Sequence, residues 1–215
     1  MPTRHRRQPL SRDRILDAAV ALADREGIAA VTMRRLGQEL GVEAMSLYKH
    51  VPDKDAVLAG ITDRVAAEFT IPVPDAHWRI ALRDSMIANY EVLSRHAWAG
   101  PLLESELAPG PARLDYLDAV VGVLRGAGLS LTEVAHAFGA LDSHLYGFVM
   151  QVASWPFDAD DYPAVAEALA DQLDADRYPN ILALATSVAL REQGLPLDFT
   201  FGLDLILDGL ERRLT

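Results

Sequence analysis

An all-α protein is predicted by three features of this 215-residue sequence. Apolar residues return every three or four positions almost throughout, the spacing of one helix face. Ser11, Thr32, Asp53 and Ser130 stand just ahead of such runs, where a helix needs side-chain acceptors for its first N–H groups. Gly27, Gly41 and the pair Val51-Pro52 close others, since glycine accepts the conformation that ends a helix and proline disfavours helix at the residue before it. No stretch keeps the alternation a strand needs, and no segment repeats.

The elements follow in order. Ser11 opens a first helix with Ile15, Ala18, Ala19 and Leu22 on one face, ending at Gly27. Thr32 opens a second that stops at Gly41, and a short third helix covers about 43–50. Asp53 caps a fourth that carries Val57, Leu58, Ile61 and Val65. Residues 71–75, IPVPD, interrupt the pattern and mark a domain boundary region. Residues 1–64, with 1–10 as a flexible basic arm, read as one domain and 65–215 as another. Beyond the interruption, 77–95 is amphipathic, with Trp78, Leu82, Met86, Tyr90 and Leu93 near one face. Helices at about 99–108 and 112–126 follow. Ser130 and Glu133 have capping-box spacing and open a long helix to about 153. After a loop at 155–162 come helices near 163–173 and 179–192, and Pro196-Leu197-Asp198 leads into a last helix at 199–214.

Composition narrows the functional classes. Half the chain is hydrophobic, which excludes a disordered protein, yet no apolar run reaches the roughly 18 residues that span a bilayer. The N-terminus is basic but lacks an apolar signal core, so a cytoplasmic protein is expected. Without cysteine, disulfide and thiolate chemistry are excluded. The net charge of −11 is unevenly placed: residues 1–64 sum to +2 and residues 65–215 to −13. Arg4, Arg6, Arg7 and Arg12 precede the first acid, Asp13. One end of an acidic protein therefore suits a polyanion.

The second and third helices, joined at Gly41-Val42, have the layout of a helix-turn-helix. Leu36, Leu40, Val42 and Leu47 form its inner side, leaving Glu43, Ala44, Met45, Ser46, Tyr48, Lys49 and His50 outward or partly so. Hydroxyl, amine, imidazole and phenol on one short helix suit phosphate and base contacts in a major groove. A plain helical hairpin inside a bundle would show the same apolar spacing.

The fuller pattern is more specific. Gly27-Ile28, Val31-Thr32-Met33-Arg34-Arg35-Leu36, Leu40-Gly41-Val42, Ser46-Leu47-Tyr48-Lys49-His50-Val51 and Lys54 resemble the DNA-binding domain of the TetR (tetracycline-repressor) family. Residues 199–211 resemble the last helix of its tetracycline-repressor-type C-terminal domain. The resemblance implies a homodimer that binds a palindromic double-stranded DNA operator and is released by a small-molecule effector. It places Thr32 and Arg34 at the DNA backbone, with Arg34 also reaching a base edge. Ala44, Met45 and Ser46 take base-reading positions, and Tyr48, His50 and Lys54 phosphate-contacting ones. Lys49 stands where relatives carry another large or basic residue. With only apolar contacts from Ala44 and Met45, sequence choice falls to Arg34, Ser46, Lys49 and DNA shape.

In the body, polar residues interrupt apolar faces at Ser85, Asn89 and Asp142. With Trp98, Leu103, Leu117, Phe138 and Leu145 they are the expected lining of an effector pocket. The family's magnesium–drug histidine falls near Leu103 and a neighbouring asparagine at Ser85, so a tetracycline chelate is not the expected effector. Leu141 and Phe148 of the long helix, with Leu203, Ile206 and Leu210 of the last, are the expected dimer contacts. No enzyme motif is present, and no cofactor is expected. His136 and His144 lack an acidic third ligand, and Asp158, Asp160 and Asp161 lack the glycine and closing glutamate of an EF-hand, so no metal site is expected. A helical small-molecule binder or enzyme with a vestigial helix-turn-helix is the alternative function.

Overall fold

The computed structural model describes residues 9–73, 77–105, 108–157, 159–190 and 197–214. Among them every regular element is a helix. Four helices build the N-terminal head: α1 (Arg12–Glu26), α2 (Met33–Leu40), α3 (Ala44–Leu47) and α4 (Lys54–Ala66). The side chains of Ser11, Thr32 and Asp53 accept from the N–H groups of Arg14, Arg35 and Ala56, which satisfies an orphan donor at three helix starts. Gly41 adopts a left-handed φ of 66°, and Val42 N–H turns back to the Gly37 carbonyl at 2.9 Å. Gly37 is the point of closest approach. A Cβ there would meet the Val42 carbonyl oxygen at 2.9 Å, so only glycine lets α2 lie this near the turn. Ile15, Leu16, Leu22, Leu36, Leu47, Val57 and Ile61 close the head's core.

Among the described residues seven further helices make the body: α5 (Trp78–Arg95), α6 (Ala99–Ser105), α7 (Pro111–Gly126), α8 (Leu131–Ala153), α9 (Tyr162–Ala170), α10 (Pro179–Ala189) and α11 (Phe199–Leu214). α5, α7, α8 and α11 pack around Leu82, Met86, Tyr116, Leu124, Leu141, Leu145, Leu203 and Leu207. The far half of α4 joins them through Val65 and Ala66, so this helix serves both cores. Arg79 and Arg83 of α5 hold the acidic edge of α11. Arg79 reaches Asp208 at 2.6 Å, and Arg83 grips both oxygens of Asp204. α9 and α10 pack chiefly on each other.

Several boundaries differ from expectation. The third helix ends at Leu47 rather than near 50, because His50 and Val51 N–H both return to the Leu47 carbonyl and Pro52 blocks continuation. The loop after Trp155 contains a 3-10 turn at Ala159–Asp161, and α9 runs 162–170 rather than 163–173. The sixth helix is described to Ser105 and the tenth to Ala189. Arg4, Arg6, Arg7, Pro74, Asp75, Asp158 and Pro196 lie outside the described residues.

Candidate nucleic-acid interface and effector site

The predicted DNA-contacting residues gather at the open end of the head, on the starts of α2 and α4 and along α3. Arg34, Tyr48, Lys49, His50 and Lys54 are exposed, Met45 is 74% exposed, and Ala44 and Ser46 are half-buried. Thr32 is also exposed. Its hydroxyl oxygen already accepts the Arg35 N–H, but its O–H remains free to donate. Lys54 is the first residue of α4, where backbone N–H groups without a helical acceptor favour an anion.

What separates these cations from their neighbours is pairing. Arg25 and Arg35 form a closed quartet with Glu26 and Glu39 at 2.8 to 3.0 Å. The Arg35 and Arg25 guanidiniums hold the Glu26 carboxyl below the ordinary carboxylate range. Among the described residues, Arg34, Lys49 and Lys54 have no ion-pair partner. Sequence alone does not distinguish Arg34 from Arg35 in this way.

The residues of the expected effector lining lie in several different surroundings. Ser85 Oγ donates to the Thr70 carbonyl at 2.6 Å, and Asn89 Oδ1 accepts the Thr70 N–H at 2.7 Å. Both side chains tie the segment after α4 to α5 instead of facing open space. Trp98 is half-buried, and its indole N–H donates to Asp24 of the head at 2.6 Å. Leu103 and Leu145 are buried in the body core, with Leu117 and Phe138 packed against it. None of the eight lines the groove between α9 and α10 (about 250 Å³) or the groove between α8 and α11 (about 410 Å³).

Asp142 does mark a polar centre, together with a residue that sequence reasoning missed. Arg113, two residues into α7, is buried. Its guanidinium lies 3.7 Å from the Asp142 carboxylate, donates to the Tyr146 hydroxyl, and faces the Tyr146 ring 5.3 Å from its centroid. Burial pushes the Asp142 carboxyl up to about 6 against the pull of Arg113. Burial likewise raises the Tyr116 and Tyr146 phenols, which therefore stay neutral donors. The usable signal was spacing: Arg113 shares a face with Tyr116, Val120 and Leu124, a lone charge on an apolar stripe. The Arg113 backbone N–H donates to Asp63 of α4 at 3.2 Å, so this centre abuts the helix common to both cores.

The expected dimer contacts are also divided. Leu141, Leu203 and Leu210 are buried within their own chain, and Phe148 packs edge-on against Tyr90 and Phe199 at 5.5 Å. Their periodicity belongs to the internal core. Ile206 is half-buried beside the groove between α8 and α11. The outward face of that helix pair instead carries Phe201 and Leu205, 67% and 57% exposed, and the small or short residues Ala140, Ser143 and Gly147.

Among the described residues no helix is long and apolar enough to cross a membrane, and no cluster of three His, Asp or Glu could hold a metal ion. Residues 15–61 match the model of bacterial regulatory proteins of the tetR family, and residues 71–214 match the tetracyclin repressor-like C-terminal domain. The HTH-type transcriptional repressor DrrR1 of Streptomyces coeruleorubidus is 34% identical over 98% of this chain and 80% of its own length. The class D tetracycline repressor protein of Escherichia coli is 25% identical over 96% of this chain and 91% of its own. The crystal structure of the TetR family protein ActR of Streptomyces coelicolor in complex with (S)-DNPA superposes with a TM-score of 0.79. It is 26% identical and covers 96% of this chain and 99% of that one. The unpaired cations at the end of a helix-turn-helix, the all-helical body and matches to both parts of the chain lead to one conclusion: the chain belongs to the tetR family of bacterial regulatory proteins and is a ligand-responsive DNA-binding repressor.

Proposed function

We propose that the chain acts as a homodimer that grips a palindromic operator and releases it when a small molecule enters the body. The observation that carries the DNA half is the set of unpaired cations, Arg34, Lys49 and Lys54, on the face where α3 is exposed. Arg34, Met45, Ser46 and Lys49 read bases. Thr32, Tyr48, His50 and Lys54 anchor phosphates, and Ala44 lets α3 sit close to the groove. One head covers half a site, and a two-fold partner places the second about one helical turn, roughly 34 Å, along the duplex. Phe201 and Leu205 on α11, with the short side chains of α8, form the surface for that partner.

The effector half rests on Arg113, Asp142 and Tyr146. A buried guanidinium held by one carboxylate at 3.7 Å and one phenol suits an effector with an anionic or phenolic oxygen. ActR has been crystallised in complex with actinorhodin; a small molecule that reached Arg113 in this chain would displace its Asp142 and Tyr146 partners. Because Asp63 caps the start of α7, displacement at Arg113 bears directly on α4 and on the head. By linkage, effector weakens operator binding by the same factor that operator weakens effector binding.

Anisotropy titration of a fragment from upstream of the gene, repeated across ionic strength, tests the DNA half. Log Kd is expected to climb with log salt by about 0.9 per phosphate neutralised. Absence of binding at low salt to every fragment flanking the gene would refute it.

A further inference from the structure

Head and body also meet away from Arg113. His96, at the end of α5, is buried with its ring between carboxylates from two different elements. Nδ1 is 2.7 Å from Asp24 Oδ1 on α1, and Nε2 is 3.4 Å from Glu68 Oε1 just beyond α4. The Trp98 indole N–H donates to the same Asp24 oxygen at 2.6 Å. His96 and Trp98 belong to the body, whereas Asp24 belongs to the head. The nearby cations are otherwise engaged. Arg95 pairs with Glu68 at 2.9 Å, and Arg64 pairs with Asp13 and Asp17 along a cleft of about 420 Å³ that Asp24 and Glu68 also line. Among the described residues no cation other than His96 pairs with Asp24.

A neutral imidazole has one N–H and one lone pair. It can donate to Asp24 or to Glu68, and the other nitrogen then turns a lone pair toward a carboxylate. The imidazolium donates to Asp24 at 2.7 Å and turns its second N–H toward Glu68 at 3.4 Å, so that opposite charge faces both nitrogens. A buried ring with a carboxylate at each nitrogen is therefore satisfied in full only when protonated.

We propose that His96 is a proton-dependent latch between head and body. With the proton bound, it holds Asp24 and Glu68 together and fixes the head in the orientation seen here. When the proton leaves, the charge attraction to both carboxylates is lost, one nitrogen turns a lone pair toward a carboxylate, and α1 is freer to turn. Operator affinity then depends on pH, and the interval to survey is about 6 to 8, where histidine side chains in general change charge. The proposal rests on the reading that head orientation governs operator binding, so the test has one arm that uses neither DNA nor effector.

The first arm removes the other two indoles with Trp78→Phe and Trp155→Phe, leaving Trp98 as the reporter beside the latch. Its emission is expected to change with pH across the surveyed interval, and the change is expected to vanish in His96→Gln, which keeps one donor and one acceptor but carries no imidazole. The second arm measures operator Kd at either end of that interval in a His50→Gln background, since His50 lies on the DNA face. A change of about threefold or more is expected, with less than half of it surviving His96→Gln. Asp24→Asn keeps the oxygen that Trp98 needs and should flatten both readouts, which covers the case of a misfolded His96 variant. An emission step that persists in His96→Gln and in Asp24→Asn overturns the latch. A step that vanishes while operator Kd ignores pH overturns its control of DNA binding.

Discussion

Arg34 and Arg35 are adjacent on α2, yet Arg35 is closed in by Glu26 and Glu39 while Arg34 faces solvent without a partner. Substituting each in turn should separate anchoring of the fold from reading of DNA. Arg34→Ala is expected to weaken operator binding roughly tenfold while changing random-sequence binding much less, which is the mark of a lost base contact. Arg35→Ala should leave that ratio intact, and competition titrations with operator and random duplexes will show both. Asp142 makes a different prediction at the same scale. Its folded-state carboxyl is raised to about 6 from an ordinary value of 3.8, so the folded protein holds this proton more tightly than the unfolded chain. The contribution is complete below the unfolded value and is lost as pH rises through 6. A difference of this size between the folded and unfolded affinities for one proton corresponds to about 3 kcal/mol. Denaturant unfolding from about pH 4 to about pH 7.5 should show stability falling across this window in the native chain and a flatter profile in Asp142→Asn.

Elements were legible in the sequence where their signals are local. Ser11, Thr32, Asp53 and Ser130 each bond the N–H three residues on, because a cap is encoded within one turn. Gly41 was legible for the same reason, and its φ of 66° gives a direct test. Gly41→Ala forces a side chain into the left-handed region at a cost of about 1 to 2 kcal/mol. A lower denaturant midpoint and weaker operator binding are expected together, since the turn sets the angle of α3. What sequence could not reveal were partners distant along the chain. Ser85 and Asn89 resemble pocket residues because polar groups break an apolar face, but the group they serve is the Thr70 backbone. Leu141, Leu203 and Leu210 show the period of a buried stripe, and period alone does not say whether the cover is the same chain or a second one. Arg113 could be found only as a charge out of place on an apolar face, since its partner Asp142 lies on another helix.

At the scale of the molecule, the outward face of α8 and α11 gives the sharpest prediction. Phe201→Glu with Leu205→Glu places two charges on exposed apolar positions and leaves Leu203, Leu207 and Leu210 undisturbed beneath them. The variant is expected to stay folded, sediment as a monomer, and bind operator at least about tenfold more weakly, because a single head makes half the contacts. A dimer surviving these changes would move the interface elsewhere. The division of labour along α4 bears on how such regulators can be recombined. Val57 and Ile61 belong to the head's core, Val65 and Ala66 to the body's, and Asp63 between them caps α7. A chimera joined in the proline-rich stretch near residue 72 would therefore carry a foreign half-helix into the recipient body. It would need matching side chains at 63, 65 and 66 before the borrowed head could answer to its new effector. Swapping specificities between relatives is a problem of grafting inside one helix rather than of cutting between two modules.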